Sequence, residues 1–145
     1  MPFILLAMRI FVGAVFVYSG WSKLISPIEN FMAVIEGYQF IKQPYISTVA
    51  FVLPWLELIF GTFLSLGFLT RVSSTVLSIF LAVFITLLLR SLMLHLPVAE
   101  CGCFGSGIIL TPWQALFLDS GILVVSLILV RQRPRWLSLD RILNR

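Results

Sequence analysis

Four stretches of the chain, 3–21, 48–69, 72–96 and 112–130, are apolar almost throughout. Each has the roughly 20 residues that a helix needs to cross a hydrocarbon core about 30 Å thick. The stretches are continuous rather than alternating, whereas a barrel strand would alternate lumen-facing polar with lipid-facing apolar residues. The expected fold class is therefore all-α and integral to the membrane: a bundle of four transmembrane helices in one domain spanning residues 1–145. A short surface helix is expected between spans 1 and 2, and a basic tail over 131–145. Composition excludes the water-soluble alternative, because 60% of the 145 residues are apolar, 11% are charged, and the mean hydropathy is +1.08. Soluble domains average roughly 45–50% apolar and about 25% charged residues, and a domain of this size buries only about 68–70% of its chain surface.

The first apolar stretch is expected to remain on the mature protein. It lacks a basic leading region, carries Arg9 within its run, and ends in Tyr18-Ser19-Gly20-Trp21-Ser22-Lys23 rather than in small residues fit for cleavage. Ser26-Pro27-Ile28-Glu29 and Thr111-Pro112-Trp113-Gln114 both have the form of a capping box with proline at the first helical position. The helix opened by Ser26 would gather Ile28, Phe31, Met32 and Ile35 on one face, either against the membrane surface or over the mouth of the bundle. Gly13, Gly20, Gly61, Ser65 and Gly67 are read as small residues that let helices approach closely.

Cytoplasmic segments carry the excess of Lys and Arg. The tail holds Arg131, Arg133, Arg135, Arg141 and Arg145, and Arg71 follows span 2, against Lys23 and Lys42 on the other side. This places both termini in the cytoplasm of a multi-pass protein of the cell (inner) membrane, with the segment between spans 3 and 4 extracytoplasmic. The basic tail is read as a topology anchor with attraction for anionic headgroups, and no nucleic-acid partner is expected.

That extracytoplasmic segment contains the chain's only two cysteines, in Glu100-Cys101-Gly102-Cys103-Phe104-Gly105. A bridge between residues i and i+2 closes too small a loop to constrain the unfolded chain. Such a ring is expected to be strained, and strained or exposed disulfides are the labile ones. Gly102 provides the backbone freedom to bring two sulfurs together. Reversible oxidation of Cys101 and Cys103 is the favoured reading over a structural staple or a metal site. With one His and two Cys the chain falls short of a closed four-ligand zinc site, although two thiolates suit a soft cation such as Cu(I); no metal is assigned. His95 is read either as a proton donor or acceptor that tunes a thiol or as an interfacial residue ending span 3.

Arg9, Glu57, Arg90 and Asp119 are charges within the spans, where each should face the bundle interior, pair, or line a wet cavity. At 1.5 Å per residue, Arg90 and Asp119 lie roughly 8 Å and 10 Å below the extracytoplasmic face and form a reasonable pair. Glu57 is nearer mid-membrane, one turn after Pro54, whose missing N–H and kink could open a polar pocket; Arg9 approaches from the cytoplasmic half with the reach to make Glu57 a possible partner. The set reads either as ion pairs that register four helices or as a proton or quinone pocket beneath the thiols.

Arg9-x3-Gly13 followed by Ser19-Gly20 and Lys23, Pro54-x2-Glu57-x3-Gly61, and CGCFG before the last span together resemble the DoxX-like superfamily, specifically its MauE branch, named for methylamine utilisation. CGCFG is the specific element, and the resemblance covers essentially the whole chain. It implies a four-helix membrane bundle that forms or maintains disulfides in periplasmic proteins alongside a thioredoxin-like partner. It gives Cys101 and Cys103 a redox assignment, and Arg9 and Glu57 a place in the family pattern. The pattern is also similar to vitamin K epoxide reductases, although this chain has neither their CxxC nor a second cysteine pair.

The resulting expectation is a membrane thiol–disulfide redox protein exchanging electrons with an extracytoplasmic thioredoxin-like protein. No dinucleotide, haem or flavin fingerprint is present, so an organic cofactor would be a lipid-soluble one such as a membrane quinone. A non-catalytic accessory subunit of a larger membrane complex is the alternative, followed by a small-solute or metal transporter.

Overall fold

The computed structural model describes residues 2–96, 102, 104 and 108–131. Five helices follow in order: α1 (Pro2–Ile25), α2 (Ile28–Gly37), α3 (Tyr45–Leu66), α4 (Thr70–Met93) and α5 (Pro112–Arg131). All but α2 are long and apolar enough to cross a membrane, and only 28–33% of each span is buried within the protein. Phe11, Phe51, Ile79, Phe117 and Val124 are among the large apolar side chains left on the outside. In water such a surface would be untenable, whereas in lipid it is the solvated face. The expected four-helix membrane bundle is the fold observed, with span ends shifted by up to four residues.

Within the bundle, α1 packs chiefly on α3 and α4 on α5, while α3–α4 and α1–α5 contacts close the ring. Lipid supplies no hydrophobic drive between helices, so close backbone approach must stabilise their contacts. At Gly20, a Cβ would stand 2.7 Å from the Pro54 carbonyl oxygen and 2.9 Å from the Leu58 nitrogen. At Gly61 it would stand 2.9 Å from the Val17 nitrogen, and at Gly13 it would run into Ser65 Oγ. Gly13, Gly20, Gly61 and Ser65 therefore form the seam read from the sequence. Gly67 does not belong to it: with φ 73° it ends α3 in a left-handed turn, where the Phe68 N–H donates to the Phe63 carbonyl. The seam leads into a core of Val12, Phe16, Leu64, Leu77, Leu81, Ile122 and Leu129.

Of the two expected capping boxes, one forms. The Thr111 N–H donates to Gln114 Oε1 at 3.2 Å, and the Gln114 N–H donates to Thr111 Oγ1 at 3.4 Å. At α2, Pro27 is the N-cap, and Ser26 Oγ instead donates back to the Ser22 carbonyl at 2.7 Å. The hydroxyl completes the end of α1 rather than opening α2, a local competition open to serine at any helix boundary. α2 packs against α3 and α1, burying Phe31 and Tyr38 and half-burying Val34 and Ile35, while Ile28 is exposed. It covers the mouth of the bundle.

Candidate functional site

The glycine seam brings α1 and α3 close enough for a lysine to reach the middle of its neighbour. Lys23 is 3% exposed, lies within α1, and sets its ammonium 2.8 Å and 2.7 Å from the two carboxylate oxygens of Glu57, itself 1% exposed. Ser19, one turn earlier, accepts from Lys23 Nζ at 3.1 Å and donates to Glu57 Oε2 at 3.1 Å. The rings of Phe31 and Phe84 stand 5.1 Å and 5.3 Å from the ammonium, within cation–π range. Both formal charges are thus compensated by protein groups within the membrane-spanning region, as their burial requires.

This arrangement corrects three sequence expectations. Lys23 is not an extracytoplasmic surface charge, because α1 continues to Ile25 and buries it. Glu57 pairs with Lys23, not Arg9. Arg9 is buried fourteen positions earlier on α1, about 21 Å along the axis. Arg90 does not pair with Asp119: it is exposed, with its guanidinium 5.9 Å from the Phe40 ring centroid, whereas Asp119 is buried at 4% exposure.

Two residues of the connection between α4 and α5, Gly102 and Phe104, lie near the ion pair. Cys101 and Cys103 fall outside the described residues, but Gly102 and Phe104 are described and both are buried. Ser22, next to Lys23, donates from Oγ to the Phe104 carbonyl at 2.6 Å. The Phe104 side chain joins Tyr38, Leu88 and Ala115 in a small apolar cluster and stands 6.2 Å from the Tyr18 ring. Gly102 has φ +69°, and a Cβ there would meet Val34 Cγ1 of α2 at 2.5 Å. Only glycine satisfies both conditions without movement.

Beneath Phe104 is a cavity of about 20 Å³ lined by Val15, Phe16, Ser19, Glu57, Leu81, Phe84, Phe104, Asp119 and Ile122. It brings together Glu57 and Asp119, two residues expected from sequence to serve a pocket below the thiols. A second cavity, about 270 Å³, lies between α2, α3 and α4 and is walled by residues such as Val34, Leu53, Phe80 and Leu87. Its lining is almost wholly apolar and suits hydrocarbon. Among the described residues no group of three or more His, Cys, Asp or Glu could hold a metal ion. His95 is exposed just beyond α4 with φ 48°. There the Leu96 N–H donates to the Ser91 carbonyl, so His95 occupies the left-handed position of a helix-ending turn.

Lys23, Ser19, Ser22 and Phe104 were missed as site residues by sequence reasoning. A signal for Lys23 was present: Gly13, Gly20 and Lys23 are spaced by seven and three, which keeps all three on one helix face.

Fold and site together define a polytopic four-helix membrane protein with a Lys23–Glu57 ion pair buried between α1 and α3. The chain belongs to the MauE family: the model described as methylamine utilisation protein MauE matches residues 1–132, and the wider DoxX-like resemblance is consistent with that membership. Comparisons with curated proteins and with solved structures gave no match.

Proposed function

We propose that this MauE-family protein performs thiol–disulfide exchange through Cys101 and Cys103 on the extracytoplasmic side of the cell membrane, serving protein maturation linked to methylamine utilisation. The observation that carries this reading is the anchoring of Gly102 and Phe104 over the Lys23–Glu57 pair. A purely connecting loop has no need of a buried, left-handed glycine and a buried carbonyl bond. A segment that must hold two thiols for a partner does. The burial of Lys23 also leaves fewer basic residues outside the spans on the cysteine side, which supports the orientation with both termini cytoplasmic.

In the exchange, one cysteine thiolate attacks a disulfide of a thioredoxin-like partner. A mixed disulfide forms and a partner thiolate leaves. The neighbouring cysteine then attacks the mixed disulfide, releasing the second partner thiolate and leaving Cys101 and Cys103 bridged. Two electrons pass to the partner, and the reverse sequence returns them.

The test is acid quenching and thiol alkylation in intact cells, with wild type and each single Cys→Ser variant. A mixture of oxidised and reduced protein, with a dithiothreitol-sensitive adduct accumulating in one single-cysteine variant, is the expected result. Cysteines held wholly in one state that trap nothing would favour the accessory-subunit reading.

A further inference from the structure

We propose that the cavity between α2, α3 and α4 binds one acyl chain of an anionic phospholipid, whose phosphate is held at the mouth by Arg90. This proposal does not depend on the exchange reading. The cavity measures about 270 Å³. An apolar cavity of about 150 Å³ inside a protein already stays dry and takes up benzene, and a void without partner atoms forfeits the contacts of its lining. In a bilayer, the hydrocarbon that fills such a space is the surrounding solvent.

The walls show where a chain enters. Ile79 and Val83 line the cavity and are also 56% and 48% exposed. They lie on α4, a helix long and apolar enough to cross the membrane, so the cavity opens sideways toward lipid. Phe40, exposed in the segment between α2 and α3, is a wall residue as well. On the bundle side the wall includes Phe31 and Phe84, whose rings stand 5.1 Å and 5.3 Å from the Lys23 ammonium. Neither Lys23 nor Glu57 lines the cavity, and their charges are already spent on each other.

Charge at the mouth selects the headgroup. Ile79, Val83 and Leu87 recur every fourth residue along α4, and Arg90, three residues beyond Leu87, continues that face about 4.5 Å further along the axis. Arg90 is exposed in the last turn of α4, with its guanidinium 5.9 Å from the Phe40 ring centroid. The cation is thereby set beside the same aromatic ring that lines the cavity. Its planar fork of donors matches phosphate oxygens. Lys42, also exposed, follows the wall residues Phe40 and Ile41 in the chain. Glu29 and Glu36 of α2 are exposed, and neither is a wall residue.

The test is native mass spectrometry of the full-length protein released from mixed micelles holding equimolar phosphatidylglycerol, phosphatidylcholine of the same acyl chains, and ubiquinone. One phosphatidylglycerol retained per chain, in preference to phosphatidylcholine, is expected, and the preference should fall when the micelles are equilibrated at high ionic strength. Leu53→Trp and Val83→Trp fill the cavity from α3 and from α4, so each should abolish retention; either one serves if the other does not fold. Arg90→Gln should leave a lipid bound but lower the preference about fivefold, the contribution of one basic side chain beside an anionic headgroup, and Arg90→Lys should restore part of it. Lipids that merely coat the protein would be retained equally by the two filled variants, and that result would overturn the cavity as the site. Equal retention of the two phospholipids, or ubiquinone in place of both, would overturn the anionic headgroup.

Discussion

Replacing Lys23 by methionine removes the charge and keeps most of the side-chain volume. The perturbation strips Glu57 of contacts at 2.8 Å and 2.7 Å and leaves it, at 1% exposure, with the Ser19 hydroxyl as its remaining hydrogen-bond donor in this cluster. Breaking a buried pair from one side costs about 3–5 kcal/mol, because the surviving charge is left uncompensated. At about 1.4 kcal/mol per tenfold, the folding equilibrium should fall by two to four orders of magnitude. Replacing Lys23 and Glu57 together by methionine removes the stranded charge, and Ser19 can turn its hydroxyl to a carbonyl one turn back, as Ser65 does with Gly61. The double variant should therefore recover most of the loss, giving a coupling of at least about 2 kcal/mol. Reversible unfolding in mixed micelles with rising dodecyl sulfate, followed by tryptophan fluorescence, measures all members of the cycle. Single-variant costs below about 1 kcal/mol, or costs that simply add, would refute a compensated pair.

Gly102→Ala should reduce glutathione-disulfide exchange while leaving helix content by circular dichroism unchanged, and Val34→Ala added to it should recover part of the rate by clearing the contact at Val34 Cγ1. Gly20→Ala should destabilise the micelle-embedded protein by about 1–3 kcal/mol, the usual cost of overpacking. Gly121→Ala, whose Cβ meets nothing within 4 Å, should be neutral or slightly stabilising in the same unfolding assay. Arg90→Ala should cost no more than about 1 kcal/mol, since an exposed cation–π contact is worth roughly 0.5–1 kcal/mol; a loss of several kcal/mol would indicate the Asp119 pairing that the geometry disfavours.

The spans were legible because lipid demands a long apolar run and tolerates few substitutes for it, so the requirement is written locally. The seam was legible for a related reason: close helix approach needs glycine at Gly13, Gly20 and Gly61. Gly67 carried the same residue type for a different purpose, the left-handed end of α3, and composition alone does not separate the two uses. Charge pairing was not legible, because it is decided by how antiparallel helices slide past each other. Counting depth from the ends put Arg90 and Asp119 at similar heights, but height says nothing of azimuth, and Arg90 faces outward. Thr111 and Ser26 headed the same sequence form with different outcomes, since Ser26 still has the last turn of α1 within reach.

Lys23 shows most clearly what the local pattern omits. A lysine near the end of an apolar run is ordinarily read as snorkelling to the interface, and a boundary drawn at Trp21 leaves it outside. Here its ammonium has three donors and three acceptor atoms within 3.1 Å, namely both oxygens of Glu57 and the hydroxyl of Ser19. The ammonium needs no water. That allows α2 to close over it with Phe31, and allows the next residue back, Ser22, to direct its hydroxyl to the Phe104 carbonyl. One helix end therefore both neutralises the buried Glu57 carboxylate and anchors the Phe104 carbonyl. Disturbing the ion pair should disturb the anchor, so Lys23→Met should impair thiol exchange even under conditions where the bundle remains folded.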